Sequence, residues 1–200
     1  MLFNAIHWNP SEGLDLGFFN LHYYSVMFII AFTLGWYIMK KIYVREGIDI
    51  EKLDSLFIYT VLATLIGARL GHVLFYDWEY FQNNLLEIFL PVRFEPEFQF
   101  TGFRGLASHG AAIGIIVAMY LYAKRVLQKP VLWILDRIVI PVASGAIFVR
   151  IGNFINSEII GKPTGTDYGV VFEKLGEDFA RHPAQLYESG CYLLIFLLLW

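Results

Sequence analysis

The sequence predicts an all-α fold, a polytopic transmembrane helical bundle with about five membrane helices and interfacial segments on its outer side. Three observations carry that expectation. Of the 200 residues, 57% are hydrophobic and 16% charged, against roughly 45–50% and about 25% in soluble domains. The apolar residues gather into five stretches, each near the ~20 residues that cross ~30 Å of hydrocarbon. Lipid offers no hydrogen-bond partners to a backbone, so such stretches must pair their own polar groups as helices.

The spans are read from about Leu21 to Met39, Leu56 to Tyr76, Leu106 to Ala123, Val131 to Val149 and Ala184 to Trp200. Before the first, residues 1–20 hold no Lys or Arg and no long apolar core, which argues against a cleavable signal peptide. Lys40, Lys41, Arg45 and Lys52 follow the first span, and Lys124, Arg125 and Lys129 follow the third. Asp77, Glu79, Glu87, Glu95 and Glu97 dominate the connection after the second. Cationic loops stay on the cytoplasmic side, so the amino terminus and the acidic connection face outward. That connection, Asp77 to Arg104, mixes Tyr80, Phe81, Leu85, Leu86, Ile88, Phe89 and Leu90 with Asn and Glu, a composition suited to the headgroup region, where Trp78 and Tyr80 would anchor it. Between the fourth and fifth spans, Gly161-Lys-Pro and Thr164-Gly-Thr-Asp predict a loop with a short hairpin. No repeat divides the chain, so a single membrane-embedded domain over residues 1–200 is expected. The last span stops at Leu197-Leu-Leu-Trp200 without a basic exit, which predicts a chain truncated at its carboxyl end.

Composition also narrows partners and cofactors. A net charge of −3 argues neither for nor against nucleic acid, and no block of like charge forms a binding tail, so basic-patch readings are set aside and no nucleic-acid partner is expected. The one cysteine, Cys191, sits in an apolar run and reads as a small hydrophobe. Five scattered His without paired spacing make no metal-ligand set, and no cofactor is expected.

The chemistry lies in polar residues where lipid tolerates them least. At the outer end of the fourth span stands Arg150-Ile-Gly-Asn-Phe-Ile-Asn-Ser-Glu158. An ionised group near hydrocarbon costs roughly 2.5 kcal/mol or more, so such a cluster implies a polar ligand that offsets the cost. Arg150 carries a permanent charge and a fork matched to phosphate, which at headgroup depth means a lipid phosphate. Asn153 and Asn156 recur at intervals of three from Arg150 and would share its face if the helix continues, a point that Gly152 leaves open. Arg69 is flanked by Gly67 and Gly71, which let a neighbouring helix approach, and it either meets a ligand or pairs internally. His72, one turn on, reads as a packed hydrogen-bonding residue. His109 stands between Ser108 and Gly110 at a helix start, where small neighbours leave room for a substrate.

These stretches, in order, resemble the bacterial prolipoprotein diacylglyceryl transferases. The resemblance is carried by Leu21-His-Tyr-Tyr24, Gly67-Ala-Arg-Leu-Gly-His-Val-Leu-Phe-Tyr76, Gly105-Leu-Ala-Ser-His-Gly110, the Arg150 to Glu158 segment with Gly161, and Arg181-His-Pro-Ala-Gln-Leu-Tyr-Glu188. It implies a multi-pass enzyme of the bacterial inner membrane with its active site toward the periplasm. Such an enzyme moves the diacylglyceryl group of phosphatidylglycerol onto the lipobox cysteine of a prolipoprotein signal peptide and releases glycerol phosphate. The nucleophile belongs to the substrate, in keeping with a chain that offers no partnered nucleophile of its own.

By the same resemblance Arg150 grips the phosphate and stabilises its leaving charge, while Asn153 and Glu158 fix the headgroup and the Arg. Tyr24, Arg69 and Asn156 support headgroup binding, and Gly152, His182, Gln185, Tyr187 and Glu188 support the site. His109 is the candidate acceptor of the thiol proton, since an imidazole titrating near neutral pH can assist a thiol of pKa about 8.5; the alternative is a thiolate formed by solvent equilibrium. Two departures stand out. Ser157 replaces the family's usual Gly, read as a mild and permissive change. Family members typically have seven membrane helices, and a second important Arg lies on one that residues 1–200 do not supply, so an incomplete or inactive form is expected. The rival reading is a phospholipid-binding or translocating protein without bond chemistry. An intramembrane protease is excluded, because paired Asp, a Ser–His pair on helices and a His-Glu-x-x-His motif are all missing from the sequence.

Overall fold

The computed structural model describes residues 5–17, 20–94, 97–100 and 105–200. Glu95 of the acidic connection and Arg104 at its end lie outside the described residues. In chain order the elements are β1 (Ile6–Trp8), β2 (Gly13–Asp15), β3 (Asn20–His22), α1 (Tyr23–Arg45), α2 (Ile50–Tyr76), α3 (Trp78–Phe81), β4 (Val92–Arg93), β5 (Gln99–Phe100), α4 (Ser108–Tyr122), α5 (Val131–Ile155), β6 (Val170–Phe172) and α6 (Ala184–Leu199). Four helical stretches are long and apolar enough to cross a membrane: α1, α2, Ser108–Leu127 and α5. The fifth apolar element, α6, is shorter at 16 residues. This is a polytopic helical membrane protein. The chain divides into two compact units, Met1–Ile42 with Asp136–Trp200, and Tyr43–Leu135.

In the second unit α2 and α4 cross on glycine. A Cβ added at Gly67 would lie 2.5 Å from the Gly110 carbonyl oxygen, and one at Gly71 would lie 2.6 Å from the Gly110 Cα. Gly114 meets Ala63 and Gly67 in the same way, so one small residue per turn on each helix faces the other. Lipid tails are as apolar as Leu, so membrane helices associate through such close van der Waals contact. The approach is tight enough for the Ala107 N–H, an orphan at the start of α4, to bond the Ala68 carbonyl at 2.9 Å.

The outer connection is folded onto α2 by Arg69. Its Nε donates to the Ile88 carbonyl and its Nη2 to the Glu87 carbonyl, each at 2.8 Å, and the guanidinium lies over the Phe81 ring. Glu87, only 3% exposed, accepts from the Tyr80 hydroxyl and from the Phe94 N–H at 2.7 Å. Burial pushes its carboxyl up, but these two hydrogen bonds and the charges of Arg93 and Arg69 outweigh it and hold the carboxyl below its ordinary range. A carboxyl lowered on folding stabilises the segment above its unfolded pKa of about 4.3 and loses that contribution as pH falls through the native value. Protection of the Phe94 amide, measured relative to its intrinsic exchange rate, should therefore fall once the pH drops below about 4, and Glu87→Gln should lower it at neutral pH. Leu86, Phe98 and Phe100 of this connection are each at least 70% exposed, which suits the interfacial position expected of it.

In the first unit α1 and α5 pack antiparallel along small residues. Tyr24 lies on Gly152, Ala31 on Gly145 and Gly35 on Pro141. The α6 helix joins through Ser189, which donates to the Ile147 carbonyl at 3.2 Å, and ends with Trp200 under the Lys41 ammonium. The start of α1, the end of α5 and the start of α6 therefore share one end of this unit. The loop between α5 and α6 holds short antiparallel pairings, Pro163 and Val170 each bridging to Arg181, as expected of it. Its strand β6 also pairs in parallel with β1, Ile6 opposite Val170 and Trp8 opposite Phe172, and Val170, Val171 and Phe172 are all buried.

Candidate active site

The α5 helix does not stop where its apolar run stops. It continues through Arg150, Gly152 and Asn153 to Ile155, so Arg150 and Asn153 do stand one turn apart on one face. It then closes in a Schellman turn: the Glu158 N–H bonds the Asn153 carbonyl at 2.9 Å and the Ser157 N–H bonds the Phe154 carbonyl at 3.1 Å. This reversal swings Glu158 back over Asn153.

A relay of side chains results. Arg150 Nε pairs with Glu188 Oε2 at 2.7 Å, and its Nη1 lies 3.4 Å from Asn153 Oδ1. Asn153 Nδ2 donates to Glu158 Oε2 at 3.2 Å, and Asn156 Nδ2 to Glu158 Oε1 at 3.3 Å. Asn153 thus presents its carbonyl to the cation and its amide to the anion, which fixes both orientations at once. Tyr24, from α1, faces Asn153 within the field of Glu158 and Arg150. Gly152 makes room for it, since a Cβ there would stand 2.7 Å from the Tyr24 ring.

The α6 helix fastens the cluster with two residues three apart. Gln185 Nε2 donates to the Glu158 carbonyl at 2.7 Å, and Glu188 holds Arg150. Ahead of α6, Arg181 donates from Nε and Nη2 to both oxygens of Glu177 and from Nη1 to the Gly161 carbonyl. These bonds hold the Glu177 carboxyl below its usual range. Gly161 is needed bare, because a Cβ would fall 2.2 Å from the His182 carbonyl oxygen. His182 Nδ1 and the Tyr187 hydroxyl are 3.3 Å apart and form their own pair beside the relay.

The structure therefore brings together Tyr24, Arg150, Gly152, Asn153, Asn156, Glu158, Gln185 and Glu188. Chemically the guanidinium is 23% exposed, with Glu188 on its Nε and Asn153 beside its Nη1. Among the described residues nothing bonds its Nη2. An anion has that nitrogen to dock on. Arg69 and His109 belong to the other unit. There Arg69 secures the outer connection, and His109, exposed on the first turn of α4, packs edge-on against Phe75 with ring centroids 5.2 Å apart and lies 5.5 Å from Tyr76. His72 stacks on Tyr76 and lies 3.6 Å from Asp77.

Ser157 is the correction to the sequence reading. Its φ of +58° is left-handed, as is the +52° of Ile159, so two side-chain-bearing residues flank Glu158 in a conformation that favours glycine. The serine hydroxyl is also buried without a hydrogen-bond partner among the described residues. The exchange of Gly for Ser is thus not permissive here. Ser157→Gly should stabilise the protein by about 1 kcal/mol, the left-handed penalty less the entropy of a freer unfolded chain, and raise the thermal midpoint in detergent by about 2–4 °C. An unchanged midpoint would contradict the strain.

Comparison with known proteins decides the family. The model of the prolipoprotein diacylglyceryl transferase family matches residues 12–200. The chain belongs to the prolipoprotein diacylglyceryl transferase family. It is a transferase, and the family catalyses the diacylglyceryl transfer step of lipoprotein maturation. The transferase is 41% identical over 195 residues to the phosphatidylglycerol--prolipoprotein diacylglyceryl transferase of Tolumonas auensis, covering 97% of this chain and 71% of that protein. It is 39% identical over 198 residues to the protein of the same name from Bacteroides fragilis, covering 98% and 71%. The Porphyromonas gingivalis relative of that name is 41% identical over 185 residues, covering 88% of this chain and 62% of its own length.

Sequence reasoning found the members of this relay by motif. It missed Trp8, whose indole Nε1 donates to the Phe154 carbonyl at 3.0 Å. A lone aromatic in a short polar segment carries no local signal of a contact 146 residues away.

Proposed function

We propose that this transferase works in the bacterial inner membrane with its amino terminus outside, taking diacylglyceryl from phosphatidylglycerol and passing it to the lipobox cysteine of a prolipoprotein signal peptide. The observation that carries the reading is the half-held guanidinium of Arg150, with Glu188 on Nε, Asn153 beside Nη1 and its Nη2 unclaimed among the described residues. A lipid phosphate docks on that nitrogen. The cysteine sulfur then attacks the glyceryl carbon that bears the phosphate oxygen. The C–S bond forms as the C–O bond breaks, and glycerol phosphate leaves with the bonding electrons. Charge grows on the phosphate oxygens as this happens, and a fixed cation beside them stabilises the transition state more than the ground state.

Asn153 and Glu158 keep the guanidinium in register, with Asn156 and Tyr24 completing the headgroup side. His109 takes the thiol proton in this reading, and Arg69 acts by holding the outer connection, whose exposed apolar side chains rest among membrane lipid. Basic residues at the end of α1, opposite the relay, support the outward orientation.

The test is direct. The full-length protein is incubated with phosphatidylglycerol vesicles and a lipobox peptide, and the peptide mass is read. A gain of one diacylglyceryl on the cysteine is expected; binding or movement of intact lipid without that gain would favour a binding or translocating protein. His109→Gln should lower the rate most at low pH, where little thiolate exists. A profile parallel to the parent's would remove His109 as the proton acceptor.

A further inference from the structure

We propose that Trp8 is a positioning residue for the Arg150 relay, acting through the last turn of α5; the inference rests on the function proposed above for that relay. The last carbonyls of a helix lack the usual intrahelical partners, and here the residues of that turn carry side chains of the site. Trp8 supplies a second donor to one of those carbonyls from outside the helix. Its indole N–H bonds the Phe154 carbonyl, its ring lies on the Phe154 ring with centroids 4.4 Å apart, and Phe154 in turn meets Phe172. The same carbonyl receives the Ser157 N–H of the Schellman turn. Trp8 therefore grips the point from which the chain reverses to present Glu158.

The strand that carries Trp8 is anchored independently of the helix. Besides the β1–β6 pairing, Ile6 N–H bonds the Gly169 carbonyl at 2.9 Å, and His7 Nδ1 lies 3.0 Å from Glu173. Farther along, the Tyr23 N–H bonds the Glu12 carbonyl, which sets the start of α1 and with it Tyr24 on Gly152. Trp8 and Tyr24 thus hold residues 152 to 154 from two directions, with Asn153 between them. Among the described residues Asn153 is the side chain that hydrogen-bonds both Arg150 and Glu158, so any drift of this turn uncouples cation from carboxylate.

The experiment compares the parent with Trp8→Phe, which keeps an aromatic ring but removes the N–H, and with His7→Ala, which cuts another contact of the same strand and leaves the indole in place. Amide exchange of the peptide spanning residues 153–159 is the first readout, and kcat with KM for the lipobox peptide is the second. Loss of one hydrogen bond corresponds to about a fivefold change. Trp8→Phe should speed exchange at Ser157 and Glu158 about fivefold and lower kcat by a similar or larger factor, with KM for the peptide and exchange at Val170 unchanged. His7→Ala should match the parent in both. The inference is overturned if Trp8→Phe leaves the turn's exchange and kcat unchanged, or if His7→Ala reproduces its effects. Exchange reads Trp8 even if the parent shows no transfer, an outcome that would instead refute the proposed function.

Discussion

Arg150→Ala is expected to lower the rate of diacylglyceryl transfer about 10²–10³-fold, the loss that follows removal of one preorganised donor from a developing oxyanion. Folding should survive, and the reason is quantitative. The Arg150–Glu188 pair is partly exposed, 23% and 43% at the two side chains, and pairs open to solvent contribute about 1 kcal/mol or less. Catalysis and stability therefore part company at this residue. Arg150→Lys is the sharper variant. An ammonium is a point charge without the planar fork, so it cannot pair with Glu188 on one edge and hold phosphate on the other. It should recover little of the lost rate. The measurement is peptide mass gain against time, paired with a thermal unfolding midpoint in detergent. Turnover at the parent rate in Arg150→Ala would end the assignment, and a collapsed midpoint would make Arg150 structural.

Gly110→Val should do the opposite, abolishing the folded protein while touching none of the relay. A Cβ at position 110 would lie 2.3 Å from the Gly67 carbonyl oxygen and 2.6 Å from the Gly71 Cα. Both are backbone atoms of a facing helix and cannot swing aside as a side-chain tip would. Forcing α2 and α4 apart also strains the Ala107 to Ala68 hydrogen bond, so a loss of about 3 kcal/mol or more is expected, at the upper end of overpacking. Gly190 is the matched control, a helical glycine with nothing within 4 Å of its added Cβ. There alanine should gain about 0.5–1 kcal/mol from helix propensity. Opposite signs at two glycines, read as folded yield and unfolding midpoint, would show that contact and not helix preference governs Gly110. Equal tolerance at both positions would contradict the crossing.

The motif signal was strong where chemistry needs particular side chains in succession. Arg150, Asn153 and Glu158 are close in the chain, and a helix followed by a tight reversal is enough to assemble them. Whether α5 continued through Gly152 was open in the sequence, because a glycine costs a helix only about 1 kcal/mol and neighbours decide the outcome. Here Tyr24 packs on the bare Cα, so the glycine serves a contact within a continuous helix. Ser157 was misjudged for a related reason. Its size was visible, but its φ was not, and the left-handed turn makes the exchange of Gly for Ser unfavourable.

Hydropathy and residue chemistry by themselves determined that this chain spans a membrane as helices, where those helices lie, and that a cation, two amides and a carboxylate gather at one end of α5. Those properties are local: they depend on transfer of side chains into lipid and on the period of a helix, both readable within some twenty residues. Only the tertiary structure decided that β1 pairs with β6, that Trp8 closes the last turn of α5, that Arg69 is spent on the carbonyls of the outer connection, and that Glu188 takes one edge of Arg150. Each of these is a contact between segments far apart in the chain, selected by burial and by the need of every buried polar group for a partner, and no local pattern encodes which distant partner that is.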